Sequence, residues 1–182
     1  MKKGLLVLMA LVLVVAVVAP AVAANVTPGM FGVGYFRTQA PVGIRYWLTE
    51  QFGIDAGLGL SSREYVYGTP LKSETKLSFS LDAGVPYVLV STDQANFFIR
   101  PGVLFKSEPN ESSPDDNATT IGISGSLGVE YFLTKRFSVQ AAHGLIFTSY
   151  DPGIKGSDSS TQFYTEEFGI SHIGFHFYFP GQ

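Results

Sequence analysis

Six polar residues stand on the polar side of segments whose alternate positions are Phe, Leu, Ile, Val or Tyr: Arg45, Asp55, Asp82, Arg100, Glu130 and Gln140. Two guanidiniums and three carboxylates brought together in one interior have two uses. They would line a narrow ion path or gate, or they would neutralise one another as a plug, because buried charges of both signs persist only when they satisfy each other. The plug is the expected arrangement.

The histidines offer less. His172 and His176 lie four apart on one alternating segment. At roughly 3.3 Å per residue they are about 13 Å apart, too far to share a metal ion, so both are expected as inward structural polar groups. His143 falls, by alternation from Phe137, on the apolar face with Ala141 and Leu145. A catalytic role there needs a nucleophile within hydrogen-bond reach of its base. Tyr164, Glu166 and Glu167 could approach it, but none is an obvious nucleophile, and a β-bulge would turn His143 inward instead. No catalytic residue, metal ligand or cofactor is expected. The chain has no cysteine, which excludes disulfides and thiolate metal sites.

The elements that must position these groups are strands. Residues 43–60 read GIRYWLTEQFGIDAGLGL and residues 128–145 read GVEYFLTKRFSVQAAHGL, the same hairpin written twice. Arg45 matches Glu130 in this repeat, and Asp55 matches Gln140. Eight alternating runs follow along the chain: Met30 to Arg37, Val42 to Leu48, Phe52 to Ser61, Leu77 to Leu89, Phe97 to Lys106, Ile121 to Leu133, Phe137 to Thr148, and a last run ending at Phe179. Runs of about 9–13 residues suit tilted strands that cross a bilayer.

The connections differ by side. Thr49 to Gln51, Ser91 to Ala95 and Thr134 to Arg136 are short. Residues 62–75, 107–120 and 151–162 are longer and polar, while Thr38 to Pro41 is brief. Bacterial outer-membrane barrels pair tight periplasmic turns with longer external loops in this way.

Lys2 and Lys3, the apolar run Leu5 to Val18 and the small-x-small triplet Ala21-Val22-Ala23 are expected to form a secretory signal peptide over residues 1–23, cleaved after Ala23. The rival, an uncleaved helical anchor over Leu5 to Ala24, is disfavoured by Pro20. The remaining residues 24–182 suit one domain. The whole chain carries a net charge of −3 and becomes more acidic without Lys2 and Lys3, which argues against nucleic acid as a partner.

A sheet in hydrocarbon must close, because open edges leave N–H and C=O groups unpaired. The expected fold is therefore all-β: an eight-stranded antiparallel up-and-down transmembrane β-barrel, with polar faces inward and apolar faces on lipid. Tyr46, Phe52, Tyr87, Tyr131 and Phe137 gather beside the short turns as an aromatic girdle. A soluble lipocalin-type barrel would need the opposite arrangement, with the charges outside.

The hairpins RYWLTEQFGIDAGLG and EYFLTKRFSVQAAHG, the strand GMFGVGYF and the closing alternation Ile173, Phe175, Phe177, Phe179 resemble the outer-membrane β-barrel family of the OmpA transmembrane domain, OmpX and opacity-type porin-like proteins. The resemblance spans residues 24–182. It implies a Gram-negative-type outer membrane, with lipid, lipopolysaccharide and the barrel-insertion machinery as partners. It also implies that Phe175, Phe177 and Phe179 form the insertion signal, although Pro180-Gly181-Gln182 follow where the family ends on an aromatic. No room remains for a peptidoglycan-binding domain. Lipid A deacylases resemble the same scaffold, but their His-x-Ser motif is missing, since position 145 is Leu.

Acidic Glu108, Glu111, Asp115, Asp116, Asp151 and Asp158 make the external loops candidates for cations or a surface partner. Asn110-Glu111-Ser112 and Asn117-Ala118-Thr119 match glycosylation acceptors, a weak match in such a setting. The expected role is structural or interactive. A small porin or passive channel is the alternative, and a lipid-modifying enzyme a more distant one.

Overall fold

Alternation gives each strand two unlike faces, and ten β-segments of this kind close into a barrel in the computed structural model of the chain. The structure describes residues 25–36, 40–67, 72–110, 116–164 and 172–180. The segment expected as a signal peptide and the Ala23 cleavage site lie outside them.

The segments are β1 (Phe31–Tyr35), β2 (Val42–Trp47), β3 (Gly53–Tyr67), β4 (Lys72–Gly84), β5 (Tyr87–Ser91), β6 (Ala95–Pro109), β7 (Asn117–Thr134), β8 (Phe137–Asp151), β9 (Ser160–Tyr164) and β10 (His172–Phe179). Neighbours in sequence pair antiparallel around the ring, and β10 pairs with both β1 and β8. β4 with β5, and β9 with β10, each supply one stave. The result is an eight-stranded, closed, antiparallel barrel. Along the closing seam, aromatic rings meet outside the wall: Phe31 on Phe179 at 6.5 Å, Tyr35 on Phe175 at 6.0 Å and Phe137 on Phe177 at 4.7 Å.

Two expectations need correction. The run Leu77 to Leu89 is not one strand, since β4 ends at Gly84 and β5 starts at Tyr87. Pro86 has no N–H to give to a ladder. Its carbonyl instead accepts from Gly53 N at 3.0 Å, and Val85 N donates to Pro101 O at 3.0 Å. A register shift between Val88 and Val90 then buries Val88 completely and turns Val90 outward, 53% exposed. Alternation carried through Val85 and Tyr87 places Leu89 outward and misses this bulge.

The long loops are also shorter than expected. Pairing of β3 with β4 runs out to Tyr67 opposite Lys72, within 62–75. Pairing of β6 with β7 reaches Pro109 opposite Asn117, within 107–120, and β9 begins at Ser160, within 151–162. Apolar alternation stops before these points, but a ladder needs only main-chain N–H and C=O groups. Polar strands therefore continue beyond the apolar zone.

The inner wall uses small residues opposite large ones. A side-chain carbon on Gly32 would sit 2.6 Å from the Tyr178 ring, and one on Gly84 would sit 2.4 Å from the Arg100 guanidinium carbon. These glycines give the large inward groups their space. Eight strands leave a bore that side chains can fill.

Candidate functional site: an ionic plug and a cavity at the loop end

The polarity of the barrel is inverted relative to a soluble protein. Leu60 (62%), Leu127 (65%), Ile173 (76%) and many other large apolar side chains are exposed on the outer wall. Arg45, Asp55, Asp82, Arg100, Glu130 and Gln140 are all buried inside it.

The hairpin repeat explains the central contact. Arg45 is the cross-strand partner of Asp55 on β2 and β3, and Glu130 is that of Gln140 on β7 and β8. In the ring order β2 and β7 are four staves apart, on opposite walls. Their matched side chains meet across the bore, with Arg45 Nη1 donating to Glu130 Oε2 at 3.1 Å. The other edge of the guanidinium donates from Nη2 to Asp55 Oδ2 at 2.9 Å.

Arg100 completes the cluster from β6. Its Nε and Nη2 donate to Asp55 Oδ1 at 2.9 and 2.7 Å, and Nη2 also donates to Asp82. Glu130 Oε1 accepts from Ser138 Oγ at 2.5 Å and from Tyr178 Oη at 2.7 Å. His176 Nδ1 lies 3.5 Å from the same oxygen. Aromatic faces cover the guanidiniums: Arg45 lies 5.7 Å from the Phe36 and Phe98 ring centres, and Arg100 lies 5.0 Å from that of Phe36.

Five of the six expected polar residues therefore form one connected network. Gln140 does not join it. Its amide is buried beside Glu130 but makes no hydrogen bond to protein. Sequence reasoning left out Ser138, Tyr178, Phe36 and Phe98, although alternation from Phe137 and from Phe179 points the first two inward. Towards the short turns Val26, Met30, Trp47, Val88, Phe132 and Tyr178 form a buried apolar cluster. Asn25 pins the segment to its neighbours by donating Nδ2 to Thr92 O at 2.9 Å.

His176 is fully buried inside the barrel, whereas the side chain of His172 lies outside the described residues. His143 is exposed on the outer wall opposite Leu127, in an unbroken ladder. The bulge that would turn it inward is not there, because the β7–β8 irregularity lies between Phe132 and Thr134. Tyr164 pairs with Ile146, and Glu166 and Glu167 lie outside the described residues.

The expected girdle residues all face outward near the short turns. Tyr46, Phe52 and Tyr131 are exposed, and Tyr87 and Phe137 are half-buried. Phe175, Phe177 and Phe179 are likewise exposed on the outer face of β10. The matching turn threonines serve the same purpose in both hairpins. Thr49 Oγ1 accepts from Phe52 N at 2.9 Å, and Thr134 Oγ1 accepts from Arg136 N at 3.1 Å.

Above the plug the bore widens into a cavity of about 750 Å³ at the long-loop end, lined by residues of β3, β4, β6, β7 and β8 and by Pro41, Pro152 and Ile154. The rim is held by Asn110, whose Nδ2 donates to Pro152 O at 2.9 Å and whose N donates to Asp116 O at 2.9 Å. Gly153 takes φ +72°, and a side-chain carbon there would sit 2.1 Å from Asn117 O. The chain thus turns tightly over the end of β7. Among the described residues no group of three acidic or histidine side chains is placed to hold a metal ion. No protein-family model matches the chain, and no curated protein matches it.

Proposed function

We propose that this chain is a small integral outer-membrane barrel with no conducting pore, whose role is structural or interactive and is exercised at the loop end. The observation that carries the reading is the inverted polarity. An outer wall presenting Leu60, Leu127 and Ile173 to water would be an aggregation hazard. In hydrocarbon the same wall is matched to its surroundings, and closure through β10, which pairs with both β1 and β8, supplies the strand partners that the setting requires. Burial of Arg45, Arg100, Asp55, Asp82 and Glu130 inside supports the same orientation, because lipid-facing Arg or Lys costs about 2–4 kcal/mol at the midplane.

Export fits the Lys2-Lys3 and Ala21-Val22-Ala23 pattern at the start of the chain. The exposed aromatic residues beside the short turns suit the interfacial zone on the periplasmic side. The network of Arg45, Asp55 and Arg100 fills the bore, which favours a plug over a channel. His143 faces outward opposite Leu127 on β7, and no enzymatic activity is proposed.

Cell fractionation tests the location. The protein should appear in the outer-membrane fraction, resist alkaline extraction, and change its gel mobility between unboiled and boiled samples. Recovery in the soluble periplasm would overturn the reading and favour a ligand-carrying soluble barrel.

A further inference from the structure

We propose that the cavity at the loop end binds a saccharide of about two or three sugar rings, a size suited to a site of several hundred Å³. The inference deepens the proposed role and takes from it that the loop end faces outward.

The chemistry of the lining selects the ligand class. Ser61 on β3, Ser78 and Ser80 on β4 and Tyr150 on β8 all line the cavity, so hydroxyl groups that both donate and accept surround it, and Arg63 on β3 adds donors. A sugar presents the same mixed chemistry at every hydroxyl. Lys106 and Glu108 also line it as an ion pair at 2.7 Å, so with Arg63 the lining carries one more cation than anion. A single extra cation argues against a polyphosphate, which needs several. The polar walls argue against an acyl chain.

Two aromatic side chains supply what hydroxyls alone do not. Tyr65 on β3 and Tyr150 on β8 both line the cavity, and these strands are four staves apart, on opposite walls. Sugar rings have apolar C–H faces as well as hydroxyl edges, so a ring entering between the walls meets an aromatic surface on either side. The floor is set by Ser80, buried two residues from Asp82 on β4. The rim is set by Pro152 and Ile154, held over the opening by the Asn110 hydrogen bond. The site is thus a walled cup on a rigid barrel, and little ordering is needed to fill it.

Two sources carry this chemistry: the sugar portion of a glycolipid in the same membrane leaflet, and free glycan outside the cell. The test uses the purified mature barrel in a sugar-free zwitterionic detergent, titrated while backbone amide shifts are followed. The probes are maltotriose, chitotriose, core oligosaccharide released from rough lipopolysaccharide by mild acid, and inorganic phosphate as a control.

At least one saccharide should bind saturably, with Kd on the order of 0.1–1 mM, and shift amides around Tyr65, Ser78 and Tyr150. Tyr150→Ala and, separately, Tyr65→Ala should each weaken it about tenfold, while the heat-dependent gel shift shows that both variants still fold. Binding of the core oligosaccharide alone supports the glycolipid source, and binding of the trisaccharides alone supports free glycan. Absence of binding by all three saccharides overturns the inference. So does equal binding by phosphate, or affinity unchanged in both variants. The assay needs no membrane, so a failure here is separate from a failure of the location experiment.

Discussion

Arg100 and Asp55 meet at 2.7 Å in the lower bore, and Lys106 and Glu108 meet at 2.7 Å in the upper cavity. The two ion pairs share a length and little else. The side chains of the first are 1% and 0% exposed, and those of the second are 22% and 37% exposed. In the lower region each charge has been removed from water and depends on its partners. In the upper region water can replace a lost partner. Distance therefore says little about what a contact contributes, and burial decides it. The comparison also separates a buried, cross-braced lower half of the barrel from a more exposed upper half.

The strongest way to break the comparison is to remove a buried cation. Arg100→Met leaves Asp55 with Arg45 alone and strips Asp82 of its bond from Nη2. Loss of one partner from a buried pair costs about 3–5 kcal/mol, read as a lower urea midpoint for the barrel folded into lipid vesicles. Adding Asp82→Leu should recover part of that loss, since the carboxylate that has lost its Arg100 bond goes with it. A double variant no more stable than Arg100→Met would mean that Asp82 is not held by Arg100.

Gly34→Val probes the seam that encloses the plug. A side-chain carbon on Gly34 would lie 1.8 Å from Phe175 O, a main-chain atom that cannot swing aside. Forcing volume into that wall costs about 1–3 kcal/mol or more, and the folded fraction on an unboiled gel should fall accordingly.

The upper half should respond more weakly. Gly153→Ala puts a side chain at φ +72° against Asn117 O, a strain of about 1–2 kcal/mol. It should be felt as faster amide exchange around Asn117 and Pro152, with little change at Arg45. Lys106→Gln removes a pair whose carboxylate is more than a third exposed. It should change stability by less than about 0.5 kcal/mol, and by less again in high salt. A loss from Lys106→Gln as large as that from Arg100→Met would erase the distinction between the two halves.

Much of this was legible in the sequence where pattern and physics coincide. Alternation gave the strands, the sidedness of Leu60 and Ile173, and the inward places of Arg45 and Glu130. The repeat of 85 positions put those two residues at matching places in their hairpins, and their contact across the bore agrees with equal heights. The partner of Arg100 was not legible in the same way. Its reach to Asp55 depends on how far β6 is staggered against β4 and on how close β3 lies, which no local pattern records. The break at Pro86 was visible as a residue without a donor, yet the bulge that turned Val88 inward follows from two strands fitting together. Loop lengths were overestimated because apolar alternation ends before backbone pairing does. The cavity was not legible at all. Ser61, Ser78 and Tyr150 read as ordinary polar residues near loops, and only closure of the ring brings them around one space.

Single-channel recording in planar bilayers tests the central claim most directly, that the network of Arg45, Asp55, Asp82, Arg100 and Glu130 closes the bore and leaves function to the loop end. The refolded mature barrel should insert and remain electrically silent. Discrete, reproducible openings from the unmodified protein would contradict the plug and make the lower bore an ion path.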